Sequence, residues 1–166
     1  MRAVTIASMF GGVLLAAAVG LSFVHPWGDV RDVGKEGEVL GGSDVPQQVR
    51  QVLETKCADC HSNRTHWPMY SRLAPGSWLM EHDVSEGRAA LNFSRWENLR
   101  PEERIDALSK IAAEVRSEEM PPVAYTMMHP RRHVSDLEMQ TIAAWARGER
   151  RRLRSAVEAK KEMSGQ

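Results

Sequence analysis

"KCADCHSNRTHWP", residues Lys56 to Pro68, decides the reading of this chain. It holds the chain's only two cysteines, Cys57 and Cys60, two residues apart between them, with His61 directly after the second. Three chemistries use such a pair. A dithiol redox site sits on a helix that follows a strand in an α/β fold, and no strand pattern precedes Cys57. A structural zinc site needs four ligands, so Cys57, Cys60 and His61 would have to be joined by His66 or His82, although zinc pairs rarely put a third ligand next to the second cysteine. Covalent haem uses all three residues as they stand: each thiol adds across a vinyl group of the porphyrin, and the histidine swings beneath the iron as proximal ligand. The expected site is therefore one haem c, attached through Cys57 and Cys60, with His61 on the iron.

Upstream, the sequence says where such a site would be assembled. Met1 and Arg2 carry positive charge, and Ala3 to Val24 then runs without a charged residue, matching the ~20 positions a helix needs to cross a bilayer. A cleavable secretory peptide has a shorter apolar stretch, and Ala16 and Ala18 could supply its cut. The apolar run continues past them to Val24, which favours a retained anchor through residues 3–24, with Trp27 suited to the membrane interface. Either way the rest of the chain is exported, which agrees with the assembly of haem c outside the cytoplasm. The expected location is the bacterial inner membrane, with the domain facing the periplasm or cell exterior.

The organisation follows: residues 1–27 as signal anchor or signal peptide, 28–43 as a flexible linker rich in Gly and charge, 44–150 as the haem domain, and 151–166 as a charged helix end and tail. Val45, Val49, Val52 and Leu53 form one helical stripe, with Ser43 or Asp44 as cap, and this helix runs straight into Cys57. Ile105, Leu108, Ala112 and Val115 form a second stripe after Pro101. Met139, Ile142, Ala143 and Ala146 form a third, opened by Ser135 and Glu138 in capping-box spacing. A short helix is expected from about Ser77 to Glu86. Strand signals are absent, so the fold class is all-α: a small cytochrome c-like helical domain wrapped around one haem, behind an N-terminal membrane helix. The connections at 63–75 and 121–134 are long for a domain of this size, and a cofactor would fill the space they enclose. Trp67, Tyr70, Trp78 and Trp96 would cover that cofactor or fill the core, and Arg64, Arg72, Arg88 or Arg95 would meet its propionates.

One methionine stands out as sixth ligand. Met120 precedes Pro121 and Pro122, and each proline fixes its own φ and restricts the residue before it, so the thioether would be held in one place. Met1 and Met9 lie in the apolar segment, Met139 and Met163 on the last helix or its tail, and Met80 on the short helix; His129 is the rival.

Several of these segments together resemble a known family. "CADCHSNRTHWPMYSRLAPGSW", an "NFSRW" segment and "EMPP" occur in the order found in the bacterial haem-binding domain family of small monohaem c-type proteins. The resemblance covers about residues 44–146 and implies covalent haem at Cys57, Cys60 and His61, behind an N-terminal membrane segment. Lys plus Arg and Asp plus Glu both number 22, so no nucleic-acid partner is expected. The expected function is single-electron transfer to and from redox partner proteins, as a lone carrier or a subunit of a larger membrane complex, without catalysis by this chain. The alternatives are a haem-based gas or redox sensor and a small haem peroxidase, the latter needing an acid-base pair that the sequence does not reveal.

Overall fold

In a computed structural model of the chain, Val49, Val52 and Leu53 share the buried face of α2 (Gln47–Lys56). They pack with Leu108, Ile111, Ala112 and Val115 of α5 (Pro101–Arg116) and with Ile142, Ala146 and Leu153 of α7 (Asp136–Ser164). Helices α5 and α7 form the most extensive pairing in the molecule, and α2 also packs against α7. The three stripes read from the sequence are thus three walls of one core. The structure describes residues 2–31, 34 and 37–165, with nothing said of the side chains of residues 2–8. Among the described residues there is no strand, so the fold is all-α.

Helix starts follow the local chemistry. Ser135 and Glu138 make the expected capping box: Ser135 Oγ accepts from Glu138 N at 3.4 Å, and Glu138 Oε2 accepts from Ser135 N at 2.8 Å. Pro101 opens α5 at its first turn. The start of α2 differs from expectation. Its N-cap is Pro46, because the Ser43 hydroxyl instead accepts from Trp96 Nε1 at 2.5 Å and Trp96 fills the core at 1% exposure.

The segment expected as a flexible linker also differs. Val39 and Leu40 are buried in the core, and Leu40 N donates to Phe93 O at 3.2 Å. Two apolar side chains at the end of a Gly-rich stretch are enough to bind it to the domain; residues 32, 33, 35 and 36 lie outside the described residues. The two long connections are partly helical. A 3₁₀ turn (Met69–Arg72) interrupts the first, and α6 (Val123–Met128) with a 3₁₀ turn (Pro130–Arg132) occupies the second.

Helix α1 (Arg2–Leu21) carries the apolar N-terminal run and leaves Met9, Phe10, Val13 and Leu14 exposed. The first part of the expected span, residues 3–8, lies outside the described side chains, and among the described residues no helix is long and apolar enough to cross a membrane. The chain after α1 docks onto α4 (Gly76–Ala90), which is longer than expected at both ends. Ser22 Oγ accepts from Ala74 N at 2.9 Å, and Val24 O accepts from Trp78 Nε1 at 2.8 Å. Glu81, fully buried, accepts from His25 Nδ1 and Arg31 Nε, both at 3.0 Å.

Candidate functional site

Cys57 ends α2, and the next four residues form a single turn, α3 (Ala58–His61), so both thiols and the imidazole are delivered to one place at the end of a packed helix. The end of α2 is itself fixed: Lys56 Nζ lies 2.6 Å from Glu138 Oε2 on α7. Helix α4 crosses α3 at Gly87, where a Cβ would stand 2.6 Å from Cys60 O and 2.9 Å from Cys60 Cβ. A residue without a side chain is therefore required for α4 to lie against the second thiol.

These elements, α5 and the stretch at Met120 enclose a cavity of about 660 Å³, within the ~300–1,000 Å³ usual for cofactor pockets. Cys57, Cys60 and His61 form part of its wall, with Leu91, Phe93, Ala107, Ile111 and Val115 as apolar lining and Met120, Pro121, Pro122 and Tyr125 completing it. Both thiols are free. Burial pushes each up to about 12, so the pair is held as neutral thiols without a disulfide. That is poor chemistry for a dithiol exchange site, which works through a thiolate. Among the described residues no three His, Cys, Asp or Glu side chains converge as a metal-holding group, so neither His66 nor His82 completes a zinc set.

The imidazole of His61 is oriented by the backbone. Its Nδ1 lies 3.0 Å from Leu91 O, a carbonyl that can only accept, so Nδ1 carries the proton and Nε2 keeps a free lone pair. The Phe93 ring flanks it at 5.7 Å. Of the methionines among the described residues, Met120 alone belongs to the cavity wall, with 37% exposure; Met69, Met127 and Met128 are exposed outside it. His129 is not in the wall. Its ring stacks on Tyr125 at 4.4 Å and its Nδ1 faces Tyr125 O at 3.1 Å. The free thiols, the available imidazole nitrogen and the apolar wall suit a covalently held haem.

Some expected roles move. Trp96 fills the core as anticipated, while Trp67 and Trp78 serve the N-terminal segment: Arg31 lies over the Trp67 ring at 4.1 Å, and Trp78 donates to Val24 O. Arg88 is engaged by Ser62 O, Val30 O and Thr65 Oγ1, at 2.9, 2.6 and 2.9 Å, and is not in the cavity wall where a propionate would meet it. None of Arg64, Arg72 or Arg95 is in the wall; the cations that are there are Lys56, already paired, and Lys110. Three side chains were missed entirely: Asp59 between the thiols, Tyr125 and Arg132. Asp59 Oδ2 accepts from Tyr125 Oη at 2.8 Å and pairs with Arg132 Nη2 at 3.1 Å, while Oδ1 accepts from His66 N at 2.9 Å. Burial and the bond to Asp59 hold the Tyr125 phenol far above its usual titration range. Carboxylates also reach the cavity, with Asp83 and Glu86 on α4 and Asp106 and Glu114 on α5.

Comparison with known proteins adds a function-bearing relative. The chain is 31% identical over 98 residues to Cytochrome c peroxidase Ccp of Escherichia coli (strain K12), a match covering 57% of this chain and 21% of that protein. The chain thus spans about a fifth of that relative. This similarity to an enzyme overturns the expectation that catalysis lies outside this chain's role, and the carboxylates around the cavity are groups that the sequence reading did not find. No solved structure matches. Residues 16–148, most of the chain, match the family described as the haem-binding domain, and the chain belongs to that family.

Proposed function

We propose that this haem-binding chain is a membrane-anchored monohaem c-type cytochrome that transfers single electrons outside the cytoplasmic membrane, with one haem joined to Cys57 and Cys60 and with His61 and Met120 as its axial ligands. The observation that carries this reading is that one cavity has both thiols, His61 and Met120 in its wall. Haem c, when bound, supplies a one-electron ferric-ferrous couple whose potential rises when the second axial ligand is methionine. The rest is done by the chain. The Leu91 carbonyl fixes the His61 tautomer, and the Met-Pro-Pro stretch limits the motion of the Met120 thioether. Of the two lysines in the wall, Lys56 is paired with Glu138, which leaves Lys110 better suited to a propionate.

The same reading takes residues 3–24 as the anchor, leaving the haem domain on the periplasmic or outer face of a bacterial inner membrane. Its support is the exposed apolar surface of α1 and the way the following residues dock on α4. Partners would be redox proteins or other subunits of a membrane complex. A second reading is favoured by the similarity to a cytochrome c peroxidase and by the carboxylates at the cavity: the domain takes part in peroxide reduction.

A spectrum of the ferrous holoprotein with and without carbon monoxide separates the two. Electron transfer with both axial positions filled predicts a spectrum unchanged by carbon monoxide. A rapid carbon monoxide shift together with peroxide turnover would favour the second reading. Denatured protein should keep its haem, because thioether bonds outlast the fold; haem extracted by acidified solvent would end the covalent assignment.

A further inference from the structure

We propose that Asp59, inside the two-residue gap between the thiols, is the positioning residue for the Met120-bearing stretch: its carboxylate ties Tyr125 and Arg132 to the haem-attachment turn. This inference rests on the reading of Met120 as sixth ligand.

Met120 is held from two directions. On its N-terminal side its backbone N donates to Glu114 O at 3.3 Å, which continues the end of α5. On its C-terminal side the chain passes through Pro121 and Pro122 into α6, where Tyr125 is 6% exposed. Nothing in so short a helix would hold it in place by itself. What anchors it to the haem-attachment turn is Asp59, 8% exposed: Oδ2 accepts from Tyr125 Oη at 2.8 Å and meets Arg132 Nη2 at 3.1 Å. Oδ1 accepts from His66 N at 2.9 Å, and Asp59 O accepts from Thr65 Oγ1 at 2.7 Å, so the loop after the haem motif is drawn to the same residue. Arg132 also donates through Nη1 to Thr55 O on α2.

A carboxylate accepts several donors at once, which an amide or hydroxyl in the same place would not do equally well. The phenol is held protonated, so it remains a donor across the ordinary pH range. His129 follows from the same arrangement. Its ring is stacked on Tyr125 and its Nδ1 is turned to Tyr125 O, so the anchored tyrosine holds the rival ligand out of the cavity wall while bringing Met120 into it. Asp59 acts through Tyr125 and Arg132.

The test compares Asp59→Ala, Asp59→Asn and Tyr125→Phe as purified holoproteins with the wild type. The readouts are haem retained after denaturation, the weak sulfur-to-iron absorption band of the oxidised protein, and the carbon monoxide response of the ferrous protein. We expect haem retention to be unchanged, while Asp59→Ala loses the band and gains a carbon monoxide shift. Tyr125→Phe should lose part of the band, and Asp59→Asn, which still offers an acceptor to the phenol, should keep more of it than Asp59→Ala. A wild type with the band and an Asp59→Ala and Tyr125→Phe pair that match it would overturn the inference alone. A wild type without the band would overturn the Met120 ligation and the positioning role with it. If Asp59→Ala gives no holoprotein, Tyr125→Phe decides by the same criteria.

Discussion

Two carboxylates are each withdrawn from water and each clamp a distant segment onto a short stretch of helix. Glu81 on α4 holds His25 and Arg31, from the chain that follows α1; Asp59 on α3 holds Tyr125 and Arg132, from the chain that follows Met120. The devices are alike but the consequences differ. Glu81 is completely buried and meets two basic side chains, so its loss or the loss of a partner is chiefly a matter of stability and of how the N-terminal segment sits. Asp59 is paired to one cation and otherwise to a phenol and a backbone amide, and what it holds is the stretch that carries a cavity-wall thioether. Burial of a charge can thus serve attachment of the N-terminal segment in one case and placement of a cavity-wall segment in the other.

The largest effect should come from the residue between the two clamps. Gly87 lies on the same helix as Glu81 and packs on Cys60, so Gly87→Val drives a side chain into the backbone of the haem motif. Overpacking of this kind costs about 1–3 kcal/mol or more, and we expect severely reduced haem attachment in a stain of denatured protein together with a lower Tm; wild-type haem content would show that α4 can move independently of the motif.

Next comes Arg31→Ala, which leaves Glu81 buried beside His25 alone. Breaking a fully buried pair costs about 3–5 kcal/mol, and Arg31 keeps part of its side chain in water, so about 2 kcal/mol is expected. In a thermal melt of the holoprotein this is a Tm lower by roughly 4–8 °C, with an unchanged absorption spectrum. A changed axial-ligand spectrum would break the division of labour between the clamps.

Tyr125→Phe should cost only about 1 kcal/mol, the net worth of one hydrogen bond, and yet it should alter the spectrum where Arg31→Ala does not. The smallest effect is expected of Trp67→Leu, which removes the ring beneath Arg31; a cation-π contact at a partly exposed site is worth about 0.5–1 kcal/mol, and the melt should move by no more than a few degrees, with haem content intact.

The parts of the fold legible in the sequence are those with a local period. Val49, Leu108 and Ile142 each belong to a stripe that repeats within one helix, and Ser135 with Glu138 is a capping signal three residues wide. The start of α2 was misread because Ser43, a good cap by type, is spent on Trp96, 53 positions away. The linker was misread because Val39 and Leu40 have no period, and only the tertiary fold supplies the core that they enter. At the candidate site, the convergence of Cys57, Cys60 and His61 on one cavity was legible because they are adjacent in sequence, whereas the place of Met120 in the same wall is set by the fold. Asp59 was in plain view between the cysteines, but its meaning lies in Tyr125, 66 positions later, and a buried carboxylate has no local pattern. Arg88 shows the converse: arginine by type suggested a propionate partner, whereas three acceptors within the protein already occupy it.

The central claim is that one cavity supplies both axial ligands, His61 from the haem motif and Met120 from the facing stretch. Its most direct test is the absorption of the oxidised holoprotein at the red end of the visible spectrum, in the wild type, Met120→Ala and His129→Ala. The account predicts the weak sulfur-to-iron band in the wild type and in His129→Ala, and its loss in Met120→Ala. A wild type without the band, or a Met120→Ala protein that keeps it, would contradict the claim.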